Sequence, residues 1–308
     1  MTQKHCILIG SPVDSGKKRT GCLMGPDAYR TAGLAAALRD LGHAVSDLGN
    51  ITAAPVSPVQ TPHGAYQLKE TIGWTQSLAA TAHSAIAKAV PIFLGGDHAL
   101  SLESISGVNR HAIAQGRPQF VLWLDAHCAF HTVHTSTSGN LHRTPLAYLT
   151  GRDGFPDFPK LQQPIPQENV CILGLRSVDR PELDALASSR IARHDMREID
   201  EHGIARPLSL FLARVAAASG MLHVSLDVDF LDPSVAPAVG TTVPGGATVR
   251  EAHLVMEMLH YSGLMTSLDL VELNPFLDER GKTALLMVDL AASAFGRRVF
   301  DRPTRPFQ

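Results

Sequence analysis

Cysteine is scarce. The 308 residues contain four, at 6, 22, 128 and 171, with no C-x-x-C spacing, which argues against a disulfide framework or a zinc knuckle and leaves reduced thiols as the plain reading. Basic runs are short as well. With a formal net charge of −2 and nothing longer than Lys17-Lys18-Arg19, the chain lacks the stripe by which nucleic acid or an anionic membrane would be held. No apolar stretch reaches membrane-spanning length. The run from Cys6 to Ile9 passes into a Gly-Ser-Pro loop without the longer apolar core and small-residue cleavage site of a signal peptide. Linker-like composition shifts, internal repeats and low-complexity tracts are missing too, so the expectation is one domain over residues 1–308, cytoplasmic, acting on a small soluble molecule.

What the chain does carry is a set of three short segments, Gly95-Gly96-Asp97-His98, Asp125-Ala126-His127-Cys128-Ala129 and Ser225-Leu226-Asp227-Val228-Asp229, each following an apolar run. Residues i and i+2 on a strand face the same way, so the pairs Asp125/His127 and Asp227/Asp229 are each expected to converge on one point, with Ala129 on that face and Cys128 turned away. The preceding runs, Phe120 to Leu124 and Met221 to Leu226, read as buried strands that deliver these residues at their carboxyl ends. Sites of open α/β sheets form at that edge. Three carboxylates gathered in a dry interior repel one another unless cations or protons compensate. A divalent metal is the simplest compensation, and carboxylate-rich ligation with a minority of imidazole and no thiolate pair favours Mn(II) or a similar harder ion over structural zinc. Each segment alone has a plainer reading, as a loop histidine after a Gly-Gly-Asp turn or as a capping aspartate. Three at successive strand ends point to a metal site.

The rest of the chain alternates in the manner of a three-layer α/β/α fold with a mainly parallel central sheet. Strands are expected at Cys6 to Ile9, Ala44 to Leu48, Ile92 to Leu94, Phe120 to Leu124, Val170 to Gly174, Met221 to Leu226 and Thr266 to Leu273. One helix should run from Gly25-Pro26-Asp27 to about Leu41, with others over 64–89, from Ser101, from Pro145, and near 181–188, 205–218, 248–261 and 282–295. Pro55 to Pro62 reads as a surface loop and the 302–306 tail as irregular.

With Glu272-Leu273-Asn274-Pro275, Asp232-Pro233, Gly240-Thr241, Pro244-Gly245-Gly246 and Gly25-Pro26, these segments resemble the ureohydrolase family, which includes arginase and agmatinase, over nearly the whole chain. Within it, the run Thr135-Ser136-Thr137-Ser138-Gly139-Asn140-Leu141-His142 is similar to the arginase branch. The resemblance implies two Mn(II) ions on His98, Asp125, His127, Asp227 and Asp229, and attack by a metal-bridging hydroxide on a guanidinium carbon. It also implies that Asp229 holds that hydroxide, His142 shuttles protons to the leaving amine, and Glu272 pairs with the guanidinium in a two-pronged contact. Ser138 and Asn140 would meet an α-carboxylate and Asp179 an α-amino group, with His131 and Thr241 at further substrate-facing positions. Plainer rivals stand beside these roles: His142 as a loop histidine near His131 and His134, Glu272 as an ion-pairing residue near a strand end, Ser138 and Asn140 as turn formers.

The chain departs from the family pattern at three places. The segment after Asp125 usually reads Asp-Ala-His-x-Asp, so Ala129 stands where an aspartate would ligate the metal on the His98 side. His131 stands where asparagine is usual, and Arg143 follows His142 where glycine is usual. The expected activity is therefore hydrolysis of L-arginine to L-ornithine and urea, impaired at one metal. Agmatinase or guanidino-acid hydrolase activity is one alternative, and a non-catalytic ligand- or partner-binding member is another. Assembly as a homo-oligomer, a trimer or hexamer, is expected by analogy.

Overall fold

Eight parallel strands make one sheet in the computed structural model, which describes residues 3–56 and 64–298. In chain order they are β1 (His5–Ser11), β2 (Ala44–Asn50), β3 (Val90–Gly95), β4 (Gln119–Leu124), β5 (Val170–Leu175), β6 (Ala192–Asp195), β7 (Met221–Asp227) and β8 (Met265–Val271). Across the sheet the order is β2-β1-β3-β8-β7-β4-β5-β6, and every pairing is parallel. The middle strands are apolar on both faces because helices cover both, so β4 is buried along its whole length.

The helices are α1 (Gly25–Thr31), α2 (Leu34–Asp40), α3 (Leu68–Ile86), α4 (Ser101–Ala114), α5 (Pro145–Leu149), α6 (Arg180–Ala187), α7 (Met196–His202), α8 (Ala205–Ala217), α9 (Val249–Ser262) and α10 (Lys282–Ala294). They sort into two apolar layers. Tyr29, Leu38, Phe211, Leu259 and Leu290 from α1, α2, α8, α9 and α10 pack on one face of the sheet. Leu78, Ile105, Leu146 and Leu186 from α3, α4, α5 and α6 pack on the other. The three-layer α/β/α expectation holds.

Several local expectations need correction. The helix expected from Gly25 to Leu41 is two helices, because Gly33 takes φ 91, a left-handed conformation that interrupts the helical hydrogen-bond ladder. The short edge strand β6 and the polar helix α7 escape a reading based on apolar periodicity. β8 stops at Val271 rather than Leu273, since Glu272 turns to φ 68 while its N–H donates to the Gly96 carbonyl. β4 ends at Leu124, so Asp125 and His127 lie in the turn beyond it, with His127 bridged only to Ser177. Strand pleating therefore does not bring this pair together. The expected loop at 55–62 falls mostly, and the 302–306 tail wholly, outside the described residues. Among the described residues no helix is long and apolar enough to cross a membrane.

Candidate metal centre

Four neighbouring strands, β3, β8, β7 and β4, end at one point on the carboxyl edge. β3 runs into Asp97 and His98, β8 into Glu272, β7 into Asp227 and Asp229, and β4 into Asp125 and His127. Tight turns aim each group. Asp227 closes β7, and its carboxylate accepts the Asp229 N–H at 2.7 Å, which winds Val228 to Phe230 into a single 3-10 turn and brings Asp229 back toward the sheet. Asp125 Oδ1 accepts the His127 N–H at 2.6 Å in the same way, and Asp229 Oδ1 accepts the Ala126 N–H at 3.0 Å, which ties the two turns together.

The result is two donor triads, His98/Asp125/Asp227 and Asp125/His127/Asp229, each with its ligand atoms within 4.8 Å of one another and with Asp125 common to both. His98 Nδ1 lies 2.8 Å from Asp227 Oδ2 and 3.1 Å from Asp125 Oδ2. His127 Nδ1 lies 3.0 Å from Asp229 Oδ2 and 3.3 Å from Asp125 Oδ1. Both triads line a cavity of about 190 Å³.

Without metal, the cluster favours protons as its counter-charge. Burial and the neighbouring carboxylates Asp229 and Asp125 push the Asp227 carboxyl well above its ordinary range, and burial with Asp125 raises Asp229. Burial works against charge on the imidazoles too. Hydrogen bonds to Asp125 and Asp227 nonetheless hold His98 at about 10, and attraction to Asp229 with bonds to Asp125 and Asp229 holds His127 at about 11. Asp125 moves the other way, because hydrogen bonds from His127 and His98 outweigh its burial. No Lys or Arg pairs with these three carboxylates among the described residues. The donor set fits divalent cations of the harder kind, which would replace those protons.

Behind His98 the ring is fixed by packing and by a hydroxyl chain. Trp123 stacks on it with centroids 4.0 Å apart, and Nε2–H donates to Ser225 Oγ at 2.9 Å. Ser225 continues to Ser101 at 3.2 Å, and Ser101 donates to Asp269 at 2.7 Å. Such support fixes the ring orientation that points Nδ1 at the carboxylates. The sequence contains Ser225 within its aspartate motif, but nothing in the pattern distinguishes it from a strand serine.

Of the other expected residues, His131, Asp179 and Glu272 do not line the cavity. Ser138, Asn140, His142, Arg143 and Thr241 line it, and Thr241 Oγ1 reaches to 3.4 Å from Asp229 Oδ2. Asn140 Oδ1 accepts the Lys18 N–H at 3.2 Å, and Ser138 Oγ accepts the Asn140 N–H at 3.2 Å, so both also serve as turn formers. Burial lowers the His142 pKa despite a 3.0 Å contact between Nδ1 and Glu272 Oε1. Against an ionised carboxylate Nδ1 must donate, which leaves Nε2 as the acceptor. Glu272 itself is fully engaged: Oε1 also accepts the His98 N–H at 2.8 Å, and Oε2 pairs with Lys17, a residue to which the sequence assigns no role. Asp179 caps α6 by accepting the Glu182 N–H at 3.2 Å, while its Oδ2 meets His131 at 2.8 Å and Arg143 at 3.4 Å. Arg143 is thus held over Glu182, at 2.7 Å, and Asp179 rather than pointing into solvent.

Ala129 lies on the wall of the same cavity, 2% exposed, and offers a methyl where the motif leads one to look for a donor. Its φ of 46 is in the left-handed region, which Asp and Asn adopt several-fold more readily than most residues. Cys128 is buried with its thiol against Glu182, away from the cavity.

Fold and site together define an α/β protein with a carboxylate- and histidine-lined candidate metal centre at the carboxyl edge of a parallel sheet. A family model described as Arginase family matches residues 4–296, and the chain belongs to that family. It is 60% identical over 302 residues to an arginase of Brucella melitensis, covering 97% of this chain and 99% of that protein. An arginase of Agrobacterium fabrum is 57% identical over 306 residues, 99% of this chain and 94% of its own length. The solved arginase of Bacillus caldovelox superposes with a TM-score of 0.89 at 37% identity, covering 96% of this chain and 100% of that one.

Proposed function

We propose that the chain is a Mn(II)-dependent hydrolase of a guanidino compound, L-arginine giving L-ornithine and urea, weakened at its His98-side metal by Ala129. The observation that carries this reading is the pair of triads sharing Asp125 on the floor of a cavity whose wall holds His142, Ser138 and Asn140. The arginases among its relatives support the choice of substrate.

Cations bound at the two triads supply Lewis acidity and lower the pKa of water, which provides a nucleophile for the guanidinium carbon at accessible pH. The chain's own residues do the rest. Asp229 accepts the proton of the attacking water, its Oδ2 held within 3.4 Å of the Thr241 hydroxyl. His142, neutral with Nε2 as acceptor, takes over the proton that Asp229 received from the water and passes it to the departing amine, which leaves as the carbon–nitrogen bond breaks. Ser138 and Asn140 offer donors to the α-carboxylate, Asp179 an acceptor to the α-amino group, and Glu272 faces the guanidinium. Each triad has three donors, and Ala129 lines the cavity they share; the weakening assigned to the His98 side follows from the family pattern, in which the residue at that position adds a further carboxylate there.

Urea release with added Mn(II) from L-arginine, compared with agmatine and 4-guanidinobutyrate, tests the reading. Arginine should be the best substrate, with activity that rises as metal is added. A preference for agmatine or guanidinobutyrate would move the chain to another branch of the family, and no urea from any of the three at saturating Mn(II) would support a non-catalytic role. Assembly as a trimer or hexamer and residence in the cytoplasm belong to the same reading; sedimentation and fractionation check them.

A further inference from the structure

We propose that Lys17, behind the wall of this cavity, determines its specificity: its ammonium occupies, against Glu272, the seat that a cationic guanidinium end needs, so arginine must displace it to bind. The proposal rests on the reading that Glu272 faces the guanidinium. It goes beyond that reading by naming an internal competitor for the same carboxylate.

Lysine is ordinarily a solvent-facing residue, yet Lys17 is 1% exposed and ion-paired with a carboxylate that is equally buried. Its position is built, because the loop carrying it is clamped from two sides. The Gly16 N–H donates to Asp97 Oδ2 at 2.7 Å, while the Gly16 carbonyl accepts the N–H groups of Leu141 at 2.6 Å and His142 at 3.0 Å. A Cβ at Gly16 would lie 2.4 Å from Asp97 Oδ1, so only glycine permits this approach. The ammonium also lies near Gly240, where a Cβ would stand 3.2 Å from Nζ, next to the cavity-lining Thr241. Lys17 and Glu272 do not line the cavity themselves but stand directly behind its wall, Glu272 against the lining His142 and Lys17 beside Gly240, which precedes the lining Thr241.

The consequence is electrostatic. Glu272 spends one oxygen on Lys17 and the other on His142 and the His98 N–H, which leaves no free edge for a planar, two-pronged guanidinium contact. A guanidinium entering there meets a fixed positive charge. A neutral ureido group of the same shape does not, and its carbonyl can accept from the ammonium. The second anchor follows the same pattern, since Asp179 is already paired with His131 and Arg143.

L-Citrulline is the uncharged isostere of L-arginine, and calorimetric binding of both to the Mn(II)-loaded full-length chain is the test. The native chain should bind citrulline no more weakly than arginine. In Lys17→Gln, arginine should tighten by about tenfold or more while citrulline changes by less than about threefold, the range in which a single charged contact separates isosteres. Should Lys17→Gln fail to fold, the native comparison still decides, because arginine binding more than about tenfold tighter than citrulline overturns the proposal. Unchanged or weakened arginine binding in a folded Lys17→Gln chain overturns it as well. Urea assays in an Ala129→Asp background separate the two readings. Urea release with a KM for arginine indifferent to Lys17→Gln sinks the Lys17 proposal alone. The predicted binding pattern with no urea from any variant sinks the hydrolase reading alone.

Discussion

Two sets of carboxylates lie on the carboxyl side of the sheet, one lining the cavity and one behind its wall, and they are balanced by different means. Among the described residues Asp125, Asp227 and Asp229 form ion pairs only with His98 and His127, whereas Glu272 pairs with Lys17 as well as His142, and Asp179 with Arg143 as well as His131. Lysine and arginine are fixed cations over the pH range in which the fold survives, but the charge on an imidazole is a proton that can leave. In the first set divalent metal would take the place of protons. The second has its counter-charge built into the chain. The nature of the compensating group, and not the presence of acid, marks where a mobile cation would belong.

The strongest way to break this comparison is to remove the shared member of the metal set. Asp125→Ala takes a ligand from both triads, so Mn(II) affinity should fall by more than about 100-fold at both, beyond the range seen for outer supporting groups. Competition titration with a chelator measures it, and a loss confined to one ion would refute the shared-ligand geometry. The converse change is Ala129→Asp, which adds a charged donor at a backbone angle that suits aspartate. It should tighten the weaker ion by about 10- to 100-fold, each tenfold being about 1.4 kcal/mol, and raise urea release in parallel.

Acidity sharpens the contrast next. His98 and His127, raised to about 10 and about 11, must each lose a proton when metal binds. Between pH 6.5 and 10 the affinity for each ion should therefore rise about tenfold per pH unit. In the metal-free chain the stability contributed by those protons is fully present below about pH 6.5 and is lost as pH climbs through 10 and 11. The melting temperature of the metal-free form should accordingly fall over that window, while the loaded form, already deprotonated there, changes less. A pH-independent affinity would contradict the proton-balanced picture.

Smaller still, Ser225→Ala removes the hydroxyl that orients His98 and should cost about tenfold in affinity at the His98 triad with little effect at the other. Gly33→Ala, far from either set, should destabilise the fold by about 1–2 kcal/mol through its left-handed backbone, read by urea denaturation, and leave metal binding untouched.

Much of the metal set is legible in the sequence, because unbroken apolar runs such as Phe120 to Leu124 announce covered parallel strands and the acids follow at their ends. The mechanism of convergence is less so. Pleating suggests a strand arrangement for Asp125 and His127, yet turns built by Asp125 and Asp227 accepting their own i+2 N–H groups do the work. Lys17 is illegible for a different reason. Within Lys17-Lys18-Arg19 it reads as one of three solvated bases, and its burial follows from Asp97 and the 141–142 turn, which lie far away in the chain. β6 and α7 are too short and polar to carry periodicity, and the break at Gly33 competes with a continuous helical pattern on either side.

The most direct test of the central claim, that the acids at the ends of β4 and β7 hold divalent metal with the His98 side weakened by Ala129, is stepwise Mn(II) titration of the native chain and Ala129→Asp followed by electron paramagnetic resonance. The account predicts one tight and one weaker ion in the native chain and two of similar affinity in the variant. Two equally tight ions in both, or none in either, would contradict it.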